Sequence, residues 1–224
     1  MSSSPAAVPA ASLASPKVLA LAAVFAVAVA FVGIYVFHYY LNYNQAAFDA
    51  YWPNPRRAGL LVHISCGMVA LLVGPWQFSS RLRQRNLVLH RWLGRIYLIA
   101  VACASSAAFL LALTTPFGWA WGFGVAMLAV AWITTSGMAY YAVLRRQIAI
   151  HKEWMVRSYV VTFAFVTFRI LNDYGPTARL QPESDRSLTA IWACWALPLL
   201  VTEVVLQLRR MPRAARASAN SPSH

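Results

Sequence analysis

Six long apolar runs separated by short polar segments dominate the chain. A helix of roughly 20 apolar residues crosses a hydrocarbon core of about 30 Å. The pattern predicts spans at about Val18–Leu41, Ala58–Phe78, Leu89–Thr114, Gly118–Leu144, Trp154–Asn172 and Leu188–Leu208. Only Thr115-Pro116-Phe117-Gly118 separates the third from the fourth, which predicts a tight antiparallel hairpin. Residues 1–16 are rich in Ser, Ala and Pro and uncharged, which predicts a disordered tail, and 211–224 are expected to form a second tail in the cytoplasm. The first run exceeds the roughly 7–15 apolar residues of a cleaved signal peptide, so it reads as a span. The expected fold is an all-α, polytopic helical bundle over residues 17–210.

Composition sharpens this. Of 224 residues, 60% are hydrophobic and 11% charged, where a soluble domain carries about a quarter charged. The net charge of +13 invites a nucleic-acid reading. Its charges sit in clusters between apolar runs, without the basic face of a nucleic-acid binder, so no nucleic-acid partner is expected. The clusters record orientation instead. With the N-terminus inside, the inner side holds Lys17; Arg81, Arg83, Arg85, Arg91 and Arg95; Arg145, Arg146, Lys152 and Arg157; and Arg209, Arg210, Arg213 and Arg216. Those fourteen face only Arg56, Arg57, Arg179 and Arg186 outside, a bias that predicts both ends in the cytoplasm. Tyr39, Tyr40, Tyr43, Tyr51, Trp52, Trp119 and Trp121 would form the outer aromatic belt. Cys66, Cys103 and Cys194 fall within apolar runs and read as small buried hydrophobes.

Ionisable groups inside a membrane are costly and mark interiors or cavities. The candidates are His38, His63, His90, His151, Arg157, Arg169 and Glu203. His38 and His63 fall towards the outer side, and His90 and His151 towards the inner. Two histidines per leaflet on different helices is what a transmembrane b-type haem protein requires. Arg91, Arg95, Lys152 and Arg157 would then neutralise propionates, and Gly67, Gly74 and Gly94 would admit a macrocycle or simply a neighbouring helix. A structural reading stands beside it. Such histidines are often interfacial or core residues, His38 above all among Tyr35, Tyr39 and Tyr40, and Arg157 with Glu203 reads first as an ion pair between the last two helices.

A weak internal repeat favours the inner pair. Ser65-Cys66-Gly67-Met68 matches Thr135-Ser136-Gly137-Met138. After each comes a basic inner loop, then His90-Arg91-Trp92-Leu93-Gly94-Arg95-Ile96-Tyr97 in the first copy and His151-Lys152-Glu153-Trp154-Met155-Val156-Arg157-Ser158-Tyr159 in the second. Copies running the same way are related by an axis along the membrane normal, which makes His90 and His151 equivalents at one inner site. His63 has no such partner, since Ile133 stands opposite it.

The string from His63 to Phe78, with His63-Ile64-Ser65-Cys66-Gly67 and Gly74-Pro75-Trp76-Gln77-Phe78, and the two histidine segments resemble a bacterial family of predicted membrane proteins, domain of unknown function 2306. The likeness covers about residues 55–175, Arg169 included, and implies several membrane helices and a bacterial inner membrane, but no activity. A looser likeness is to cytochrome b561-type proteins, where histidines on four helices hold two haems; here the histidines lie nearer helix ends, and the outer pair would need His38.

The first expectation is a b-type haem electron-transfer protein, and the alternative is a non-redox transporter or sensor. In one, haem b is held by His90 and His151, with His63 and His38 at an outer site and Arg95 and Arg157 near the propionates, and electrons pass from a quinol to an unidentified redox partner. In the other, His63, Arg157, Arg169 and Glu203 line the cavity of a non-redox transporter or sensor. A helical assembly partner without chemistry, or a homo-oligomer, is compatible with the same pattern. No Gly-rich phosphate loop, Cys-x-x-Cys, His-Glu-x-x-His or Gly-x-Ser-x-Gly occurs, and no catalytic residue is nominated.

Overall fold

The computed structural model describes residues 15–37 and 56–219, so His38 and the tyrosines that follow it lie outside the described residues. The helices are α1 (Pro16–Val36), α2 (Arg56–Gln77), α3 (Ser80–Arg85), α4 (Leu87–Leu113), α5 (Trp119–Leu144), α6 (Ile148–Thr162), α7 (Ala164–Arg169) and α8 (Glu183–Ala219). A π-helical turn at Ile170–Tyr174 and a 3-10 turn at Pro176–Arg179 join α7 to α8. Among the described residues there is no strand. Six stretches are long and apolar enough to cross a membrane, with Ile148–Tyr174 as the fifth. The protein is a multi-pass helical membrane protein. We name the ends of the bundle by the basic-residue bias: Arg56 and the α4–α5 turn mark the outer end.

Local chemistry sets the boundaries. Pro16 opens α1, where its missing N–H costs nothing. The Ser79 hydroxyl accepts from Leu82 N at 3.2 Å and the Asn86 side chain from Leu89 N at 2.9 Å, capping α3 and α4. Gly118 turns the outer hairpin with φ of 87°, a region open to glycine. The second, third and fourth spans fall within two residues of their expected limits. The fifth begins six residues earlier than Trp154, because the inner turn shrinks to Arg145–Gln147 and His151 is already helical.

Consecutive spans pack side by side: α2 on α4, α4 on α5, α5 on α6, while α8 closes against α5, α6 and α7, and α1 leans on α2. Small residues allow the close approach that helices need where no hydrophobic effect drives them together. On α4 these are Ala100, Ala104, Ser105, Ala107 and Ala108, and on α5 Ala129, Ala139 and Ala142, all buried. One contact is closer still. A Cβ on Gly74 of α2 would land within the Tyr159 ring of α6, whose hydroxyl donates to the Leu71 carbonyl at 2.9 Å. Gly74 thus serves a neighbouring helix. Gly74→Ala should destabilise the protein by about 1–3 kcal/mol, whereas Gly137→Ala, whose new Cβ meets nothing within 4 Å, should be neutral or stabilising; thermal unfolding in detergent compares the two.

Candidate functional site

Three polar groupings stand out, and they lie at different depths. At mid-depth the fully buried Tyr97 hydroxyl of α4 meets Ser158 Oγ and Thr162 Oγ1 of α6, each at 2.7 Å. Ser136 Oγ of α5 reaches Ser158 Oγ at 2.7 Å, and Trp132 Nε1 donates to Thr162 Oγ1 at 2.8 Å. An indole nitrogen can only donate, and Thr162 gives its proton to the Ser158 carbonyl at 2.9 Å. Tyr97 therefore donates to Thr162, accepts from Ser158, and Ser158 accepts from Ser136. Every hydroxyl proton is placed. The sequence pattern missed this knot, since single hydroxyls in apolar runs give no periodic signal.

Arg157 and Glu203 meet at the inner end, as the ion-pair reading expects. Arg157 donates twice to Glu203 Oε2, from Nη2 at 2.6 Å and from Nε at 2.9 Å, and its guanidinium stacks over Trp154 at 4.7 Å. Glu153 lies 3.8 Å from Arg157 and also receives Arg210, while Gln207 donates to Glu203 Oε1 at 2.7 Å. Two acids and two bases thus staple α6 to α8. Arg157 is committed here and lines no cavity with His63 or Arg169.

The third grouping surrounds an outer cavity of about 250 Å³. Among the described residues its polar lining comes from Arg56, His63, Thr115, Thr162 and Arg169, and the rest is aliphatic and aromatic. His63 Nδ1–H donates to the Ala104 carbonyl across the α2–α4 contact at 2.9 Å. A carbonyl only accepts, so in the neutral ring Nε2 is left as an acceptor. Arg169 packs against Phe165 and Phe168, 5.7 and 5.9 Å from the ring centres, with Asp173 at 3.8 Å. The hydroxyl knot forms the floor, because Trp132 and Thr162 belong to both.

The wall from Val161 to Arg169 is irregular helix. α6 stops at Thr162, Phe163 separates it from α7, and the π-helical turn follows at Ile170. No proline is present. Thr162 and Thr167 bond back to the carbonyls four residues earlier, a habit that bends helices. Irregular backbone at membrane depth is tolerated where it is buried in protein or lines a cavity.

His151 Nδ1–H donates to the Ala139 carbonyl at 2.8 Å, while His90 Nδ1 is buried with no hydrogen-bond partner. The two rings are within electrostatic reach of one another. His151, tied through Nδ1, would present Nε2 to a metal such as haem iron, and His90 lacks that tie among the described residues. His63 is tied in the same way, but an apolar cavity of roughly 150 Å³ holds benzene, and a haem macrocycle several times that size exceeds the outer cavity. Among the described residues no cluster of three or more His, Cys, Asp or Glu is placed to hold a metal ion.

A family model described as "Predicted membrane protein (DUF2306)" matches residues 60–206, beginning after α1. Neither a curated protein nor a solved structure matches the chain.

The inner staple makes a quantitative prediction. Glu153→Gln or Glu203→Gln alone leaves Arg157 one carboxylate and should cost about 1 kcal/mol or less, because Glu203 is 42% exposed. The double variant strips a buried guanidinium of both partners and should exceed the sum by roughly 0.5–3 kcal/mol. Unfolding equilibria of the four proteins in mixed micelles measure the difference.

Proposed function

The chain belongs to the DUF2306 family of predicted membrane proteins, and we propose that it is a carrier or receptor for a small anion with an apolar body, bound in the outer cavity. The observation that carries this reading is a cavity beside the locally irregular part of the fifth span, into which Arg56, His63 and Arg169 face among the described residues. Irregular helix at membrane depth is tolerated where it lines a cavity. A pocket of about 250 Å³ is at the small end for ligands and suits a molecule somewhat larger than benzene. The arginines would take its carboxylate or phosphate, and His63 Nε2 would accept a hydrogen bond. The basic-residue bias favours a bacterial inner membrane with both ends in the cytoplasm.

Benzoate is the probe for this site. Purified protein should bind benzoate in preference to benzyl alcohol, and Arg169→Gln should weaken benzoate by roughly 10- to 100-fold, the worth of a charge-assisted hydrogen bond. Equal binding of acid and alcohol, or an unchanged Arg169→Gln, sinks the reading.

A second reading keeps one observation in its favour: the proximity of His90 and His151 at the inner end, with His151 tied through Nδ1. On that reading the two rings hold haem b, and Arg91, Arg95 and Lys152 face its propionates. Haem would supply one-electron transfer to or from a quinol. A dithionite-reduced spectrum decides. Protein expressed with ample haem should show a sharp α-band that disappears in His151→Ala, and a colourless folded protein removes the reading.

A further inference from the structure

A second concavity, a groove of about 420 Å³, lies on the outside of the bundle where α4 meets α5. Arg95, Ile99 and Ala102 line it from α4, and Ile133, Gly137 and Tyr140 from α5. Spacings of four and then three residues make each set one stripe along its helix. The helices are antiparallel, so Arg95 and Tyr140 share the inner end, and Ala102 and Ile133 lie nearer mid-depth. Both stripes cover seven residues, about 10 Å of helix. Ile99, Ile133 and Tyr140 are exposed. A Cβ on Gly137 would meet nothing within 4 Å, so the groove is open along α5. Its bottom is fixed, because Ser136 lines it and is held to Ser158 at 2.7 Å.

Charge marks one end of this groove. The 27 residues of α4 run about 40 Å, longer than a hydrocarbon core of about 30 Å, so its first turns reach the head-group layer. Arg95 follows Leu87 by about two turns. It is exposed, and its guanidinium stacks over Trp92 at 5.0 Å, which leaves the edge of the fork to meet acceptors. Arg81, Arg83, Arg85, Arg91, Arg145, Arg146 and Lys152 belong to the same inner side, and no Asp or Glu occurs between Asp49 and Glu153. The inner acids Glu153 and Glu203 are engaged by Arg157 and Arg210. A cationic mouth with an apolar trough running towards mid-depth has the order of an inner-leaflet lipid, head first and chain behind. Basic pockets between membrane helices on the cytoplasmic side bind anionic head groups. A second copy of this chain would instead bring its own basic inner turns against these, like charge against like.

We infer that the α4–α5 groove binds an anionic phospholipid of the inner leaflet, its phosphate at Arg95 and Tyr140 and one acyl chain lying over Gly137 between Ile99 and Ile133. The site is separate from the outer cavity and independent of what that cavity holds.

Native mass spectrometry of the full-length protein in detergent, with phosphatidylglycerol or phosphatidylcholine of matched acyl chains added, tests this. Phosphatidylglycerol should be held about fivefold more tightly, the worth of one arginine at the head-group level. Arg95→Gln should abolish that preference, whereas Arg85→Gln, exposed on α3 and outside the groove, should keep it. Gly137→Leu puts a side chain into the open trough and should lower retention of both lipids several-fold, with thermal unfolding showing that the variant is folded. Equal retention of the two lipids by the wild type overturns the inference, as does full retention by Gly137→Leu. Equal losses in Arg85→Gln and Arg95→Gln would mean attraction to the basic surface at large and overturn it too. A dimer that Gly137→Leu dissociates would put a second copy in the groove in place of the lipid.

Discussion

In hydrocarbon a polar group finds no water, so each must be satisfied within the protein. The Tyr97 knot is where this constraint shapes the molecule most. Three helices contribute, Tyr97 from α4, Trp132 and Ser136 from α5, and Ser158 and Thr162 from α6, and the only assignment of protons that uses every donor runs in one direction through them. A single bond of this kind contributes about 0.6 kcal/mol in a membrane. Its larger effect is geometric: the α4–α5–α6 register is fixed at mid-depth, and the cavity acquires a floor that cannot slide.

Around that floor the charges separate. In the inner staple two acids, Glu153 and Glu203, and two bases, Arg157 and Arg210, neutralise one another across α6 and α8. Around the outer cavity, among the described residues, the charged lining is Arg56 and Arg169, with Asp173 beside Arg169. The inner charges join two helices, whereas the outer arginines also face a cavity. This difference gives the outer site a stronger functional case than the Arg157–Glu203 pair, although both stood out alike as ionisable residues in apolar runs.

The spans were legible because hydrophobic length is a one-dimensional property, and the limits of α2, α4 and α5 follow from it within two residues. The ion pair was legible for a similar reason, as a lone acid and a lone base at matching depth. What could not be read was lateral position. Depth grouped His63 with His38, and the cavity reading joined His63, Arg157, Arg169 and Glu203, while rotation about the helix axes sends His63 and Arg169 to one cavity and Arg157 with Glu203 to another place. Arg56 was counted as an outer loop charge, yet it begins α2 and faces the cavity. Gly74 shows the same limit: its spacing announced a close approach, and only the packed helices identify Tyr159 as what approaches.

The internal repeat also changes meaning in three dimensions. It aligns Tyr97 with Tyr159 as closely as it aligns the histidines, and the two tyrosines exchange between halves. Tyr97 of the first copy bonds to Ser158 and Thr162 of the second, and Tyr159 of the second bonds to the Leu71 carbonyl of the first. A duplicated helix pair gains from such an exchange because each half supplies the partner that the other would otherwise leave unsatisfied in lipid. His63 lacks a counterpart in the second copy, and so does the break in the fifth span in the first, where α4 runs unbroken from Leu87 to Leu113. The features that enclose the outer cavity are thus those that depart from the repeat. Symmetry accounts for the scaffold, and its breaking at His63 and Phe163 coincides with the outer cavity.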